Sequence, residues 1–268
     1  MTAGRRLGRR IVVALDASPD ARAALEAACE LARRSGAEVT CVFVEDEDAR
    51  DLASQPMTRF VGRAGVPRRV ERADMERSMR HVGGRVAALV REAAGRLQVQ
   101  ATVRTMRGRV VDALLASSTD ADVVFVGTGR RGAPAGLSRT PAVTLGATRP
   151  VFILGEGESI GAPIAVIDDP AEARAVLTAA ARLVDSGALR VVALGDGHDV
   201  SETVAAIRGA LEDLSLTVEI EVSPRGAAVF DGIASLRGHT LVVGAGAWQR
   251  GVFAELVARL KVPVLVAR

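Results

Sequence analysis

Two stretches of this chain repeat each other. "VVALDASPDARAAL" (residues 12–25) and "IAVIDDPAEARAVL" (residues 164–177) share an apolar run ending in Asp, a Pro-containing turn and an alanine-rich tail. "VFVGTG" (124–129) returns as "LVVGAG" (241–246), and "PVFIL" (150–154) as "PVLVA" (263–267). The offsets fall from 152 to 117 to 113, with the blocks in the same order. Ordered matches of this kind predict a duplicated unit. The second copy is shorter because it lacks a counterpart to residues 45–80. The predicted units are residues 1–155 and 156–268, with "GEGESIGA" (155–162) as the join.

Each copy reads as alternating strands and helices. In the first, residues 11–15, 38–44, 100–106, 122–126 and 151–154 are predicted strands. Helices are expected over 19–35, over 70–97 with a weak point at Gly83-Gly84, over 109–118, and near 141–147. Ser18 is placed to cap the first helix, Pro19 to begin it and Gly36 to end it. The second copy has expected strands near 163–167, 189–194, 216–222, 240–243 and 264–267. Strands that are apolar throughout, joined by helices, predict a parallel sheet covered on both faces. The fold class is therefore α/β, with two tandem Rossmann-like units. The closing strands "PVFIL" and "PVLVA" are expected side by side, so that each removes an exposed edge from the other.

Composition narrows the function. With 49% apolar residues, the 268-residue chain can bury a full core. No apolar run approaches the roughly 18 residues of a membrane span. The basic start "MTAGRRLGRR" is not followed by a signal-type segment, so a cytoplasmic protein is expected. Cys29 and Cys41 are read as buried free thiols. Residues 1–160 carry a net charge of +6 and the remainder −3. The excess sits in the arm Arg5, Arg6, Arg9, Arg10 and in Arg59, Arg63, Arg68, Arg69, Arg72, read as solvated surface. Aromatic residues are 3% of the chain, which leaves few stacking platforms for nucleic acid. Neither nucleic acid nor membrane is an expected partner. The acidic run "EDEDARD" (45–51) lacks calcium-loop spacing and is read as a solvated loop. Residues 45–80 as a whole read as a flap or partner-docking loop.

In such sheets ligands bind beyond the carboxyl ends of the strands, where strand order reverses. In the first copy Asp16, Val44 with its acidic neighbours, Arg107-Gly108 and the glycine loop from Gly127 stand there. A carboxylate can accept from ribose hydroxyls, and a glycine loop can bring backbone N–H groups to phosphates. The crevice is of nucleotide type. It is not the GxGxxG fingerprint, because "DASPDA" follows the first strand, nor a P-loop, because no Gly-Lys-Ser/Thr occurs. His81, His198 and His239 have no ligand spacing, so no metal site is expected. Ser138, Thr140 and Thr144 have no nearby His to activate them, so no catalytic residue is assigned. Trp248 is read as a packing residue.

"IVVALDASPDARAALEAACELARRSGAEVTCVFVED", "VGTG" and "PVFIL" resemble the universal stress protein family, and the second half resembles it more faintly. The resemblance implies adenine nucleotide alpha hydrolase-like domains of strand order 3-2-1-4-5, paired through their fifth strands. In one subgroup it implies ATP binding, through Gly, two residues, Gly, nine residues and Gly-Ser/Thr. Gly127 matches the first position, whereas Arg130 replaces the second Gly. The Gly-Ser/Thr pair falls at Thr140-Pro141 or, counted back from Pro150, near Leu137-Ser138. The nucleotide residues implied are Asp16 for ribose, Val44 for adenine, and Gly127, Gly129, Arg130, Ser138 and Thr140 for phosphates. Two readings stand: a stress-response module binding ATP or another small ligand in its first copy, with slow ATP hydrolysis as its only enzymatic form; or a regulatory scaffold that has lost nucleotide and acts through self-association or protein partners.

Overall fold

A computed structural model describes residues 9–16, 18–55, 60–61, 67–68, 71–128, 140–184, 187–214, 216–224, 238–250 and 262–268. The first half supplies β1 (Arg10–Leu15), β2 (Glu38–Asp46), the two-residue β3 (Phe60–Val61) and β4 (Pro67–Arg68), β5 (Ala101–Gly108), β6 (Val123–Gly127) and β7 (Val151–Leu154). The second supplies β8 (Ala162–Ile167), β9 (Leu189–Leu194), β10 (Val218–Ser223), β11 (His239–Gly244) and β12 (Val264–Ala267). β3 and β4 pair with each other; the other ten strands form one sheet in the order β10-β9-β8-β11-β12-β7-β6-β1-β2-β5. Each half of that sheet has the order 3-2-1-4-5. Pairing is parallel within each half and antiparallel at the seam, where Val264, Leu265 and Val266 face Ile153, Phe152 and Val151. The fifth strands therefore lie side by side, as the two "PV" segments predict.

The first helix shows why the sequence breaks where it does. α1 (Pro19–Ser35) starts with Pro, and Ser18 accepts from Ala21 N at 3.1 Å. It ends at Gly36 in the left-handed region, at φ 72°, which Gly enters without a Cβ penalty. Helices α2 (Glu47–Ser54), α3 (Arg72–Leu97), α4 (Val110–Ser118) and α5 (Thr140–Gly146) complete the first half. The second half holds α6 (Ala173–Ala181), α7 (His198–Leu211) and a short helix, Ala245–Gln249.

Two differences from the sequence reading have physical causes. The acidic run 45–51 is not a loop: it forms the end of β2 and the start of α2. Asp46 caps α2 by accepting from Asp48 N at 3.1 Å, and Glu47 and Asp48 fall in the first turn, where negative charge suits the helix dipole. Arg50 then ties α2 to α3 through Glu76 at 3.0 Å. The described part of the expected flap is thus largely helical. α3 also runs unbroken through Gly83-Gly84. Gly83 faces the Phe43 ring, and a Cβ there would stand 3.2 Å from it. The glycine marks close packing, not a weak point.

α1, α3, α6 and α7 cover one face of the sheet, and α4, α5 and the helix Ala245–Gln249 the other. Each face carries one apolar cluster that runs through both halves. Phe152, Leu154, Leu265 and Ala267 belong to one, and Val151, Ile153, Val264 and Val266 to the other. Phe152 stacks on Phe125 with ring centroids 4.7 Å apart. Trp248 lies in the second cluster at 5% exposure, as a packing residue should. Arg268 also crosses the seam, donating to the carbonyls of Thr144 and Leu145 in the last turn of α5.

Because the cores are shared across the seam, unfolding is expected to be one transition. Phe152→Ala should cost about 3–5 kcal/mol, the usual range for a buried aromatic. The single tryptophan, Trp248 in the other half, should report the same shifted urea midpoint as far-UV circular dichroism. Separate midpoints for the two signals would show independent halves. Cys29 and Cys41 are fully buried, and desolvation pushes their thiols up to about 11 and about 12 respectively. Their thiol forms should therefore persist at pH 8. The native protein should leave an aromatic disulfide reagent unreacted, whereas urea-unfolded protein should release two equivalents.

Candidate functional site

In the first half, strand order reverses between β1 and β6, and it is beyond the carboxyl ends of strands at such a reversal that α/β sheets form their ligand crevice. β2 forms one wall. Its pairing with β1 stops at Leu15↔Phe43, while its pairing with β5 continues through Val44↔Met106 to Asp46↔Gly108. β2 thus runs past its last β1 pairing by the residues Val44, Glu45 and Asp46. The Val44 side chain is half-buried against the α4 face. Arg107 holds Glu45 at 2.8 Å and Arg109 stands 3.6 Å from Asp48, so the acidic rim of this wall is charge-paired.

Asp16 follows β1 at the floor of the crevice and is exposed. Its Oδ1 accepts from Ser18 N at 2.9 Å, an Asx turn that leads the chain into the Ser18 cap. Among the described residues, Oδ2 makes no hydrogen bond. β6 ends opposite, at Gly127, and Thr128 N donates to Leu154 O at 2.8 Å. The Thr140 hydroxyl donates to Gly127 O at 2.7 Å, so the first residue of α5 is fastened to the end of β6. Asp16, Val44, Gly127 and Thr140 therefore share one end of the sheet. Gly129, Arg130 and Ser138 lie outside the described residues. Among the described residues no group of His, Cys, Asp or Glu is arranged to hold a metal. No helix among them is long and apolar enough to cross a membrane.

The structure adds a residue that the sequence reading passed over. Asp20, in the first turn of α1, is 4% exposed. Its Oδ2 accepts from the Thr128 hydroxyl at 2.7 Å and its Oδ1 from Glu156 N at 3.0 Å. One carboxylate thus ties the start of α1 to the ends of β6 and β7. The available signal was an Asp in the first turn beside an N-cap, which reads only as a helix-dipole preference.

Gly127 is fixed by the same contact. A Cβ on it would stand 2.9 Å from the Asp20 Cβ and 3.0 Å from Ala21 N. The glycine lets α1 press onto β6, whatever else the loop holds. Gly127→Ala should therefore lower stability by about 1–3 kcal/mol, as overpacking does. Asp20→Ala should cost a similar amount, because it orphans a buried hydroxyl and an amide. Thermal unfolding without any ligand measures both; unchanged midpoints would mean that this knot adds nothing.

Comparisons with known proteins agree with this architecture. Residues 8–153 match the universal stress protein family. No protein of curated function matches the chain. Among solved structures, a universal stress protein from Archaeoglobus fulgidus DSM 4304 is similar over 98% of this chain and 97% of its own, with a TM-score of 0.71 at 17% identity. A functionally unknown protein from Pseudomonas aeruginosa PAO1 aligns over 96% and 92%, with a TM-score of 0.55 at 15% identity. At these identities the likeness speaks for the fold, which in both cases extends through the two halves. The family match covers more than half of the chain, and the protein belongs to the universal stress protein family.

Proposed function

We propose that the first half is a stress-response module that binds an adenine nucleotide, with ATP as the leading ligand. The observation that carries this reading is the extension of β2 past its last β1 pairing, opposite the Gly127 end of β6, with Asp16 at the end of β1 between them. A crevice of this kind suits the three parts of a nucleotide. Asp16 accepts from the ribose hydroxyls, for which Oδ2 is available among the described residues. The main chain of β2 from Val44 onward, past the last β1 pairing, frames the base. The loop that starts at Gly127, with Gly129, Arg130 and Ser138, receives the phosphates, and Arg130 supplies charge where the family motif has a second glycine. Thr140 acts one step back, since its hydroxyl is spent on Gly127 O and fastens α5 to the end of β6.

In this reading the chain consists of two domains, residues 1–155 and 156–268, and only the first binds nucleotide. In the same reading the activity is binding, and the output passes through the protein surface. Self-association or a regulatory protein partner receives it.

Calorimetric titration of ATP tests the site. Asp16→Asn keeps an acceptor for Ser18 N and removes the charge, whereas Asp16→Ala removes both. The Ala variant should weaken binding by about 1.5–3 kcal/mol, the range for a hydrogen bond to a charged group, and the Asn variant by less. The wild type giving no heat at millimolar ATP would leave the scaffold reading in possession of the crevice. Binding that survives Asp16→Ala unchanged would move the site elsewhere.

A further inference from the structure

The second half has an equivalent crevice, between β8 and β11, and its polar groups are already engaged with one another. The repeat aligns Asp20 with Glu172, Asp16 with Asp168, and Gly127 with Gly244. Asp20 and Glu172 differ by one methylene. The shorter side chain turns onto Thr128 and Glu156 N, as described above. The longer one reaches past that point. Glu172 Oε1 accepts from Gly246 N at 2.6 Å, and Oε2 from Ala247 N at 3.3 Å. These amides stand two and three residues after Gly244, where the first half has Gly129 and Arg130 after Gly127.

We propose that Glu172 is a built-in ligand of the second half: its carboxylate takes up the backbone amides that a phosphate would need and closes this crevice to nucleotide. The proposal rests on the nucleotide reading of the first half only for the word phosphate; the closed state itself stands on the contacts of the second half.

Four observations agree with it. A Cβ on Gly244 would run into the Glu172 carboxylate, and one on Gly246 would lie 3.2 Å from Oε1, so these two glycines make room for it. Arg250 gathers the negative charge that converges here: its Nη2 is 2.8 Å from Asp168 and 3.9 Å from Glu172, and its Nη1 is 3.8 Å from Asp169. Asp168, the counterpart of the ribose carboxylate, is therefore engaged as well. The wall is also lower, because β9 passes its last β8 pairing, Ile167↔Ala193, by Leu194 alone, against three residues in the first half. Finally, the chain enters a helix immediately after Gly244, and Trp248 anchors that helix in the core.

Hydrogen exchange at Gly246 and Ala247, followed without nucleotide, tests the closure. Glu172→Asp keeps the charge and withdraws its reach, and Glu172→Ala removes both. Each should speed exchange at these two amides about tenfold or more, the loss expected for a hydrogen bond to a charged acceptor. Far-UV circular dichroism at the same temperature confirms that the variants are folded, and Glu172→Gln, which keeps one acceptor, gives an intermediate rate should the others unfold. Wild-type rates in all variants would overturn the proposal. So would a second bound nucleotide per wild-type chain that is lost in Asp168→Asn. A wild type that binds no nucleotide would defeat the reading of the first half, and the exchange rates would still decide whether Glu172 closes the second.

Discussion

The antiparallel pairing of β7 with β12 is the constraint on which the rest of the molecule depends. Either half alone would end in an open edge of fully buried, apolar strand. Val151–Ile153 against Val264–Val266 gives both edges their hydrogen-bond partners, and a buried edge without partners carries a large penalty. It also brings the apolar clusters of the two halves together on each face. Reversal of strand direction at the seam has a functional consequence. The carboxyl ends of the first-half strands and those of the second lie at opposite ends of the sheet. Each crevice can then change its chemistry without obstructing the other.

The two crevices have diverged around one carboxylate. In both halves an acidic residue four positions after the Asp that follows strand one looks toward the end of strand four: Asp20 in the first turn of α1, and Glu172 just before α6. As Asp20 it is buried and closes a structural knot beneath the loop. As Glu172 it is one methylene longer and lies on the amides of Gly246 and Ala247, in the short helix after strand four. The glycines follow the same division. Gly127 admits the backbone of α1, whereas Gly244 admits a side chain. Similar "VG-x-G" stretches thus serve different contacts, and a glycine there is not by itself a sign of phosphate.

Much of the architecture was legible in the sequence because duplication exposes it. The three matched blocks predicted the two five-strand halves and their seam, and Ser18, Pro19 and Gly36 marked the bounds of α1. Local charge was less informative. The run 45–51 looked solvated because it is acidic, yet acidity at a helix start is also a capping signal, and Asp46 uses it so. Gly83-Gly84 read as a break because intrinsic propensity says so; contact with Phe43 overrides it. At the site, Asp16, Val44, Gly127 and Thr140 come to one end of the sheet, as strand ends must. The role of Asp20 and the closure by Glu172 were not legible. Both depend on where a carboxylate ends in three dimensions, and one methylene decides it.

The proposed roles of the two halves are asymmetric: one crevice open to nucleotide and one closed by its own carboxylate. Native mass spectrometry of the intact chain in the presence of ATP measures it directly. The account predicts a single adenine nucleotide per chain, lost in Asp16→Ala and retained in Asp168→Asn. Two nucleotides per chain, or one that departs with Asp168 and not with Asp16, would contradict it.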